Sequence, residues 1–97
     1  MAWTVYILRC GDGSLYTGCT NNLPRRLEAH QSGKGAKYTR SRLPVALAYR
    51  EEAADRSAAL RREAAVKRLD RGKKLALIAE KAADFQDGQT AGGAGAV

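Results

Sequence analysis

A carboxylate stands among apolar residues in the second half of the chain. If residues 55–71 form a helix, a rotation of about 100° per residue places Glu63 within an apolar arc of five side chains: Ala59, Leu60, Ala64, Val66 and Leu69. A carboxylate there must pair with a cation or bind a metal ion, because burying it alone is costly. The spacing leaves two interpretations open. One is an ion pair with an arginine, and the other is a ligand of a hard divalent cation, which takes one or two carboxylates with phosphates and water.

Four other side chains are of types found in catalytic sites. Arg26 and His30 are four residues apart and share one face of any helix that contains them. Tyr6 and Tyr16 lie in two apolar, β-branched runs near the start of the chain. Taken singly, each residue has an ordinary role, a surface position for the arginine and histidine and core packing for the tyrosines. Their convergence with Glu63 favours a catalytic site.

The tyrosines belong to a predicted β-hairpin. Residues 3–8 and 15–17 form two strand-like runs, and Gly11-Asp12-Gly13 between them is typical of a hairpin turn. A three-residue turn places Tyr6 and Tyr16 on the same face of the sheet, whereas a two-residue turn separates them. The length of the turn therefore decides whether the two phenols can share a site.

Two cysteines, Cys10 and Cys19, are expected to be reduced thiols. A three-residue turn directs them to opposite faces of the hairpin. The longest apolar run near the N-terminus, Val5–Leu8, is far short of a signal-peptide core, and no stretch approaches the roughly 20 apolar residues that cross a bilayer. We therefore expect a cytoplasmic protein with no membrane partner.

The rest of the chain predicts one strand and three helices. The expected elements are, in chain order, a helix over about 23–31, a strand over 45–49, a helix from residue 55 or 57 to about 71, and a helix over about 73–85. Asn22 is a suitable N-cap for the first helix, and Gly72 is expected to end the second. Between them, residues 32–42 combine Gly and Ser with four cations and predict a mobile basic loop. A single domain over residues 1–85, followed by a disordered Gly/Ala-rich tail over 86–97, is the expected organisation.

Positive charge is concentrated in the predicted domain. The 97 residues include 17 Lys and Arg against 10 Asp and Glu, a net charge of +7, and eleven of the cations are arginines, which suit bidentate contact with phosphate. Residues 9–42 and 55–81 carry +5 each, whereas the chain from residue 82 onward carries −2. One basic helix face is commonly only solvated surface. Two basic regions flanking one hairpin favour a nucleic-acid partner.

The same residues resemble the signature of the GIY-YIG nuclease superfamily. Val5-Tyr6-Ile7 stands for the first motif, and Tyr16-Thr17-Gly18 follows ten residues later. The segment from Asn22 to Leu27 and His30 continue the pattern, and Glu63 matches the metal-binding glutamate of the family. The resemblance spans residue 3 to about residue 81 and is greatest to small stand-alone bacterial members.

This resemblance implies an α+β fold, a three-stranded antiparallel sheet flanked by about three helices in the order β-β-α-β-α-α, with the site on one sheet face. It assigns Tyr6 and Tyr16 to orienting or deprotonating the attacking water, and Arg26 to the scissile phosphate. It gives His30 a supporting proton-transfer or hydrogen-bonding role and Glu63 the single divalent cation, Mg²⁺ or Mn²⁺. Phosphodiester hydrolysis needs these functions: an activated water, neutralised phosphate oxygens and a Lewis acid.

Three departures from the family pattern bear on activity. Val5 replaces the glycine of the first motif, a change that a strand tolerates. Cys19 stands where some family nucleases carry a lysine, and a thiol cannot supply that charge. The segment Asp70-Arg71-Gly72-Lys73 offers no counterpart of an asparagine that some members carry after the glutamate helix. These differences are compatible with an enzyme that is slow or has a narrow range of substrates.

Two functions of different classes follow. The first is a divalent-metal-dependent endonuclease acting on DNA rather than RNA in DNA repair or processing, selective for structure rather than sequence because no second DNA-binding domain is apparent. The alternative is a catalytically weak nucleic-acid-binding module that uses the same basic surface. Beyond the catalytic set, we expect cations to contact the charged backbone of the nucleic acid and an aromatic ring to stack on its bases. The residues expected to do so are Arg25, Lys34, Lys37, Tyr38, Arg40, Arg42 and Lys67.

Overall fold

Three antiparallel strands form one sheet in the order β2-β1-β3. The computed structural model describes the backbone of residues 2–89 and the side chains of residues 2–81. In chain order the elements are β1 (Trp3–Arg9), β2 (Leu15–Thr20), α1 (Leu23–Gln31), α2 (Lys37–Arg40), β3 (Ala46–Ala53), α3 (Arg56–Lys67) and α4 (Arg71–Gln89). The predicted α+β fold with a three-stranded antiparallel sheet is confirmed, and α2 is an additional short helix.

The register of the hairpin is that of a three-residue turn. Leu8 pairs with Tyr16, and Tyr6 pairs with Gly18, across β1 and β2. Residues paired in this way project their side chains to the same side of a sheet. Tyr6 and Tyr16 therefore lie on one face, as the three-residue turn predicts.

Helices cover both faces of the sheet. On one face, which we call the α1 face, the buried residues are Tyr6, Leu8, Cys10, Leu23 and Val45, with Tyr16 and Leu27 packed against them. On the other, the α3 face, they are Ile7, Tyr49 and Val66, with Leu15, Leu69, Leu77 and Ile78 packed against them. The alternation of side chains along β1 separates the two sets.

Helix α1 has the bounds that its sequence predicts. The side-chain oxygen of Asn22 accepts a hydrogen bond from the backbone N–H of Arg25 at 3.2 Å and caps the helix. Pro24 lies in the first turn, where no intrahelical donor is required. Beyond the helix, Gly33 has a φ of 82°, so the chain reverses there in a conformation that glycine adopts without a Cβ clash.

The basic segment over residues 32–42 is only in part the loop that its composition predicts. Residues Lys37–Arg40 form α2, and the side chain of Thr39 within it is fully buried. The segment is held on the hairpin turn, because the Gly11 N–H donates to the carbonyl oxygen of Arg42 at 2.7 Å. Glycine and serine content predicted a loop throughout, but part of the segment is helical and its end is bonded to the hairpin turn.

The boundaries of the later elements also differ from the prediction. Strand β3 continues to Ala53, since Arg50 and Glu52 pair with β1 despite their charge. Gly72 does not end a helix but lies in the first turn of α4, because the Asp70 side chain accepts from the Lys73 N–H at 2.9 Å and starts a new helix. Helix α4 runs past the predicted domain boundary at residue 85 to Gln89. Residues 90–97 of the predicted tail lie outside the described part. Within that part, no helix is long and apolar enough to cross a membrane.

Candidate active site

A chain of buried polar contacts crosses the α1 face. Tyr6 Oη lies 3.0 Å from His30 Nε2, and His30 Nδ1 lies 2.8 Å from Thr39 Oγ1. The Thr39 hydroxyl in turn lies 3.0 Å from the carbonyl oxygen of Ala36. Tyr6 is 2% exposed, and His30 and Thr39 are 0% exposed. Because water does not reach these groups, His30 cannot touch a substrate and acts only through its neighbours.

Two glycines allow this close packing. A Cβ on Gly18 would lie 2.6 Å from Tyr6 Oη, and a Cβ on Gly35 would lie 2.8 Å from Cγ of the His30 ring. Both distances are shorter than side chains tolerate, so only glycine lets β2 lie beside the phenol and the chain after α1 lie against the imidazole. Gly18 of the Tyr16-Thr17-Gly18 motif therefore leaves the space that the Tyr6 hydroxyl occupies.

Tyr16 continues the cluster toward the surface. Its half-buried ring lies 5.3 Å from the His30 ring and stacks on Tyr38 with ring centroids 5.9 Å apart and planes 28° apart. The guanidinium carbon of Arg42 lies 3.8 Å from the centroid of the Tyr38 ring, and Arg42 pairs with Asp12 in the hairpin turn at 3.1 Å. Tyr38 is 37% exposed, so the stack passes from the buried imidazole to solvent.

Arg26 and Arg25 line a cavity beside this cluster. The cavity has a volume of about 350 Å³ and is lined by Thr20, Asn21, Asn22, Arg25, Arg26 and Ala29. Both arginines are exposed, and the charge of Arg26 reaches Tyr6 and His30. Two guanidinium groups at the start of a helix suit a phosphate anion.

Glu63 lies on the other side of the sheet. Its Oε1 accepts a hydrogen bond from the thiol of Cys19 at 3.3 Å, and its Oε2 is 3.2 Å from Lys67 Nζ, one helical turn further on. The Glu63 side chain is 17% exposed. Burial, followed by the hydrogen bond to Glu63, raises the pKa of the Cys19 thiol to about 11. Cys19 is thus a neutral donor that holds the carboxylate, and Cys10 and Cys19 are both free thiols.

Charged and polar groups on both faces of the sheet act on Tyr6. Burial is the main cause that raises the pKa of Tyr6 far above its usual value, and Tyr16, Cys19 and Glu63 add to it while Arg26 opposes it. Burial, with a smaller contribution from Arg26, lowers the pKa of His30. At neutral pH the buried pair is therefore a neutral phenol beside a neutral imidazole.

The structure brings some of the predicted residues into contact and separates others. Tyr6, Tyr16 and His30 touch on the α1 face, the charge of Arg26 acts on Tyr6 and His30, and Glu63 is on the α3 face. The predicted nucleic-acid contacts Arg25, Lys34, Lys37, Tyr38 and Arg40 are exposed, whereas Arg42 and Lys67 form ion pairs with Asp12 and Glu63.

Thr39 is the functional candidate that the sequence analysis did not find. No spacing rule links it to His30, because their contact depends on the chain reversal at Gly33 and on the close approach of Gly35 to the imidazole. A threonine within a run of cations carries no signal of burial. Its role becomes visible only in the folded chain.

Glu63 is the side chain that could hold a divalent cation at this site. Among the described residues no three His, Cys, Asp or Glu side chains gather into a metal-binding group. Glu63 is a single carboxylate, and a hard cation such as Mg²⁺ commonly takes one or two carboxylates and completes its shell with water and phosphate. Lys67 is 54% exposed, so its flexible side chain is free to leave Oε2. The residues fit a cation held by Glu63, water and substrate.

Comparison with known proteins identifies the family of this chain. The family model of the GIY-YIG catalytic domain matches residues 2–76. The chain belongs to the GIY-YIG family. Members carry a nuclease domain, so the substrate class of this domain is nucleic acid.

Relatives of the GIY-YIG chain extend over most of its length. A UPF0213 protein of Streptococcus sanguinis is 56% identical over 77 residues, which cover 79% of this chain and 88% of that protein. The solution NMR structure of a UPF0213 protein from Bacillus halodurans is 48% identical, with a TM-score of 0.55, and the match covers 84% of this chain and 86% of the other. A solution NMR structure from E. faecalis is 40% identical, with a TM-score of 0.57 and coverage of 89% and 90%. These similarities confirm the fold.

Proposed function

We propose that this GIY-YIG protein is a divalent-metal-dependent endonuclease that hydrolyses phosphodiester bonds of DNA, in the cytoplasm, in DNA repair or processing. The observation that carries the proposal is the contact of Tyr6, Tyr16 and His30 on one sheet face beside Arg26. Phenols, an imidazole and a guanidinium supply groups that orient water and neutralise phosphate. The basic surface around them attracts a polyanion.

Tyr16 is the phenol that we assign to the attacking water. It is half-buried and open to solvent, whereas the hydroxyl of Tyr6 is buried and engaged by His30. A neutral phenol is a weak base, so the assignment requires Tyr16 to act as the phenolate. In this assignment Tyr16 accepts a proton from water, and the water oxygen bonds to phosphorus. The bond from phosphorus to the leaving oxygen breaks, and its electron pair goes to that oxygen, which then takes a proton from solvent.

Arg26 is assigned to the scissile phosphate, and Arg25 to a neighbouring one. Both side chains are exposed and line the same cavity at the start of α1. A guanidinium binds two phosphate oxygens at once, which fixes the orientation of the phosphate and offsets charge that grows during the attack. We therefore place the reacting phosphate in this cavity.

Glu63 is assigned to the cation, Mg²⁺ or Mn²⁺. When bound, the cation supplies Lewis-acid charge to a phosphate oxygen. Cys19 donates to Oε1 of Glu63 and keeps the carboxylate oriented, while Lys67 provides positive charge at Oε2 in the absence of the cation. The thiol thus contributes orientation where some family nucleases have a lysine.

The edge strand β2 links the two parts of this site. Gly18 faces Tyr6 on the α1 face, and the adjacent Cys19 faces Glu63 on the α3 face. Because β2 is an edge strand of the sheet that residues 2–89 form, a DNA backbone that runs along its edge can contact groups from both faces. Contacts to the backbone carry no sequence information, which supports selectivity for DNA structure.

One observation favours the alternative, a nucleic-acid-binding module with weak catalysis. Both oxygens of Glu63 have protein partners, the thiol of Cys19 and the ammonium of Lys67. A cation must displace Lys67, and this competition lowers its affinity. The two functions share one surface and differ in whether Glu63 is needed for cleavage.

A cleavage assay on supercoiled plasmid, branched DNA and RNA, with Mg²⁺, Mn²⁺ or a chelator, separates the two functions. The endonuclease predicts cleavage of DNA that stops with chelator and falls about 100-fold or more in Glu63→Gln and Arg26→Ala. Glu52→Gln is the matched control, since Glu52 is an exposed carboxylate on β3 paired with Arg50 at 2.8 Å. Equal traces of cleavage in wild type and Glu63→Gln, with binding of DNA retained, support the binding module. No cleavage by wild type with either metal at high protein concentration refutes the nuclease.

A further inference from the structure

Thr39 lies behind His30, at the ring nitrogen that does not face Tyr6. Its Oγ1 is 2.8 Å from His30 Nδ1 and 3.0 Å from the carbonyl oxygen of Ala36. The side chains of Thr39 and His30 are fully buried. Since solvent does not reach them, their hydrogen bonds must be satisfied within the protein.

The hydrogen atoms of this chain of contacts can be assigned by counting donors. The carbonyl oxygen of Ala36 can only accept, so the hydroxyl hydrogen of Thr39 must point at it, or else two oxygens would face each other at 3.0 Å with lone pairs alone. The Thr39 oxygen is then left to accept, and Nδ1 of His30 is the donor. In a neutral imidazole Nε2 then carries no hydrogen and accepts the hydroxyl hydrogen of Tyr6.

This assignment requires a neutral imidazole, which its surroundings favour. Burial lowers the pKa of His30, and the neighbouring Arg26 lowers it further. A charged imidazole would donate from both nitrogens and leave the buried Tyr6 hydroxyl to find another acceptor. With the neutral ring, each of the three hydrogen bonds that link Tyr6, His30, Thr39 and Ala36 has one donor and one acceptor.

We propose that Thr39 is a positioning residue for the reaction: it holds His30 in the Nδ1–H tautomer, so that Nε2 accepts from Tyr6 and Tyr6 remains a neutral phenol. This inference rests on the proposed nuclease function. The Tyr6 hydrogen is committed to His30, and its oxygen lies over Gly18 of the edge strand. Tyr6 is therefore a buried neutral phenol held in place by His30, and Tyr16 is left as the base.

Helix α2, which carries Thr39, also carries an aromatic ring of the site. Thr39 lies on α2 next to Tyr38, whose ring stacks on Tyr16. The contact between His30 and Thr39 therefore also holds Tyr38 against the proposed base. Gly35 also lies close to the imidazole, since a Cβ at this position would be 2.8 Å from Cγ of the ring.

The tautomer can be read directly, because His30 is the only histidine in the chain. The experiment uses tag-free, ¹⁵N-labelled protein at pH 7.5 and long-range ¹H–¹⁵N spectra of the imidazole. We expect hydrogen on Nδ1 and none on Nε2 in wild type and in Thr39→Ser, which keeps the hydroxyl. In Thr39→Val, which has the same shape but no acceptor, the Nε2–H form should gain population. Backbone amide spectra check that each variant is folded.

Cleavage rates of the same three proteins complete the test. We expect Thr39→Val to cleave on the order of 10-fold more slowly, the effect of one lost buried hydrogen bond, and Thr39→Ser to stay within about 2-fold of wild type. A wild-type imidazole protonated on Nε2 overturns the inference, and this measurement needs no variant. So does a Thr39→Val protein with a changed tautomer and an unchanged rate. If Thr39→Val changes the tautomer but wild type cleaves nothing, the nuclease proposal fails while the control of the tautomer by Thr39 stands.

Discussion

Tyr6 and His30 meet inside the α1 face of the sheet, with Tyr6 Oη 3.0 Å from His30 Nε2 although 24 positions separate them in sequence. Tyr6 lies on the central strand and His30 in the last turn of α1, so the contact ties this helix to the middle of the sheet. The pair is neutral, and an imidazole that must lose its charge on folding makes stability depend on pH.

We expect the protein to lose stability between pH 7 and pH 5 because of His30. Burial and Arg26 lower the pKa of His30 in the folded state below its ordinary value of 6.5. The unfolded chain then binds a proton that the folded chain does not, so the free energy of unfolding falls as the pH drops below about 6.5. One group limits the slope to about 1.4 kcal/mol per pH unit. Urea denaturation at pH 7.5, 6.5 and 5.5 measures it.

The control for this dependence is His30→Gln, because the chain has no other histidine. Glutamine keeps a polar end but does not titrate, so the slope between pH 5.5 and 7.5 should disappear even if the variant is less stable throughout. Carboxyl groups have ordinary pKa values near 4 and titrate below this window. The same slope in His30→Gln and wild type would show that the pH dependence has another source.

Gly18→Ala should weaken the contact of Tyr6 with His30. A Cβ at this position would lie 2.6 Å from Tyr6 Oη and 2.7 Å from Cζ, so the phenol must move off β2. We expect a loss of about 1–3 kcal/mol in the free energy of unfolding, together with loss of cleavage. The matched control is Gly72→Ala in the first turn of α4, where an added Cβ would lie 3.4 Å from Asp70 Oδ1, an ordinary contact. That change should stabilise the protein by about 0.5 kcal/mol, and equal effects on urea denaturation would contradict the argument.

The parts of the site that the sequence predicts are those set by local geometry. The turn length determines that Tyr6 and Tyr16 share a face, and the register confirms it. The cap at Asn22 determines where α1 begins, and so places Arg26 and His30 on one helix. Each of these relationships depends on residues close in sequence, whose conformations have few alternatives.

The parts that escaped prediction depend on contacts between distant segments. An apolar arc drawn on α3 includes Leu60, yet Leu60 is 42% exposed while Ala59 and Val66 are buried. Alanines around this helix make the arc broad, so helical angle alone does not identify the face that packs on the sheet. The contact of Glu63 with Cys19 follows from that packing. Thr39 is likewise buried only because α2 folds back onto His30.

Arg62→Met should destabilise the fold more than Arg50→Met. Arg62 makes two hydrogen bonds to Glu51, of 2.8 and 3.1 Å, on the α3 face, where the Glu51 side chain is 22% exposed and also accepts from Tyr49. Loss of Arg62 leaves that carboxylate short of partners, and we expect a cost of about 1–2 kcal/mol. Arg50 makes one ion pair with Glu52, and both side chains are more than half exposed, so its loss should cost about 0–0.5 kcal/mol. Urea denaturation of both variants at pH 7.5 compares them, and equal costs would show that the Arg62 pair is not a structural one.

Binding of DNA should lose part of its salt dependence when Arg25 is replaced by glutamine. Arg25 is exposed and lines the cavity at the start of α1. If it neutralises one phosphate, the slope of log K against log salt should become shallower by about 0.9 for a duplex and about 0.7 for a single strand. Fluorescence anisotropy with labelled duplex and single-stranded DNA at several salt concentrations measures the slope. Arg50→Gln is the control with the same charge change, because Arg50 lies on β3, at the sheet edge opposite to β2. Equal slopes for the two variants would mean that the phosphates do not follow the β2 edge and the start of α1.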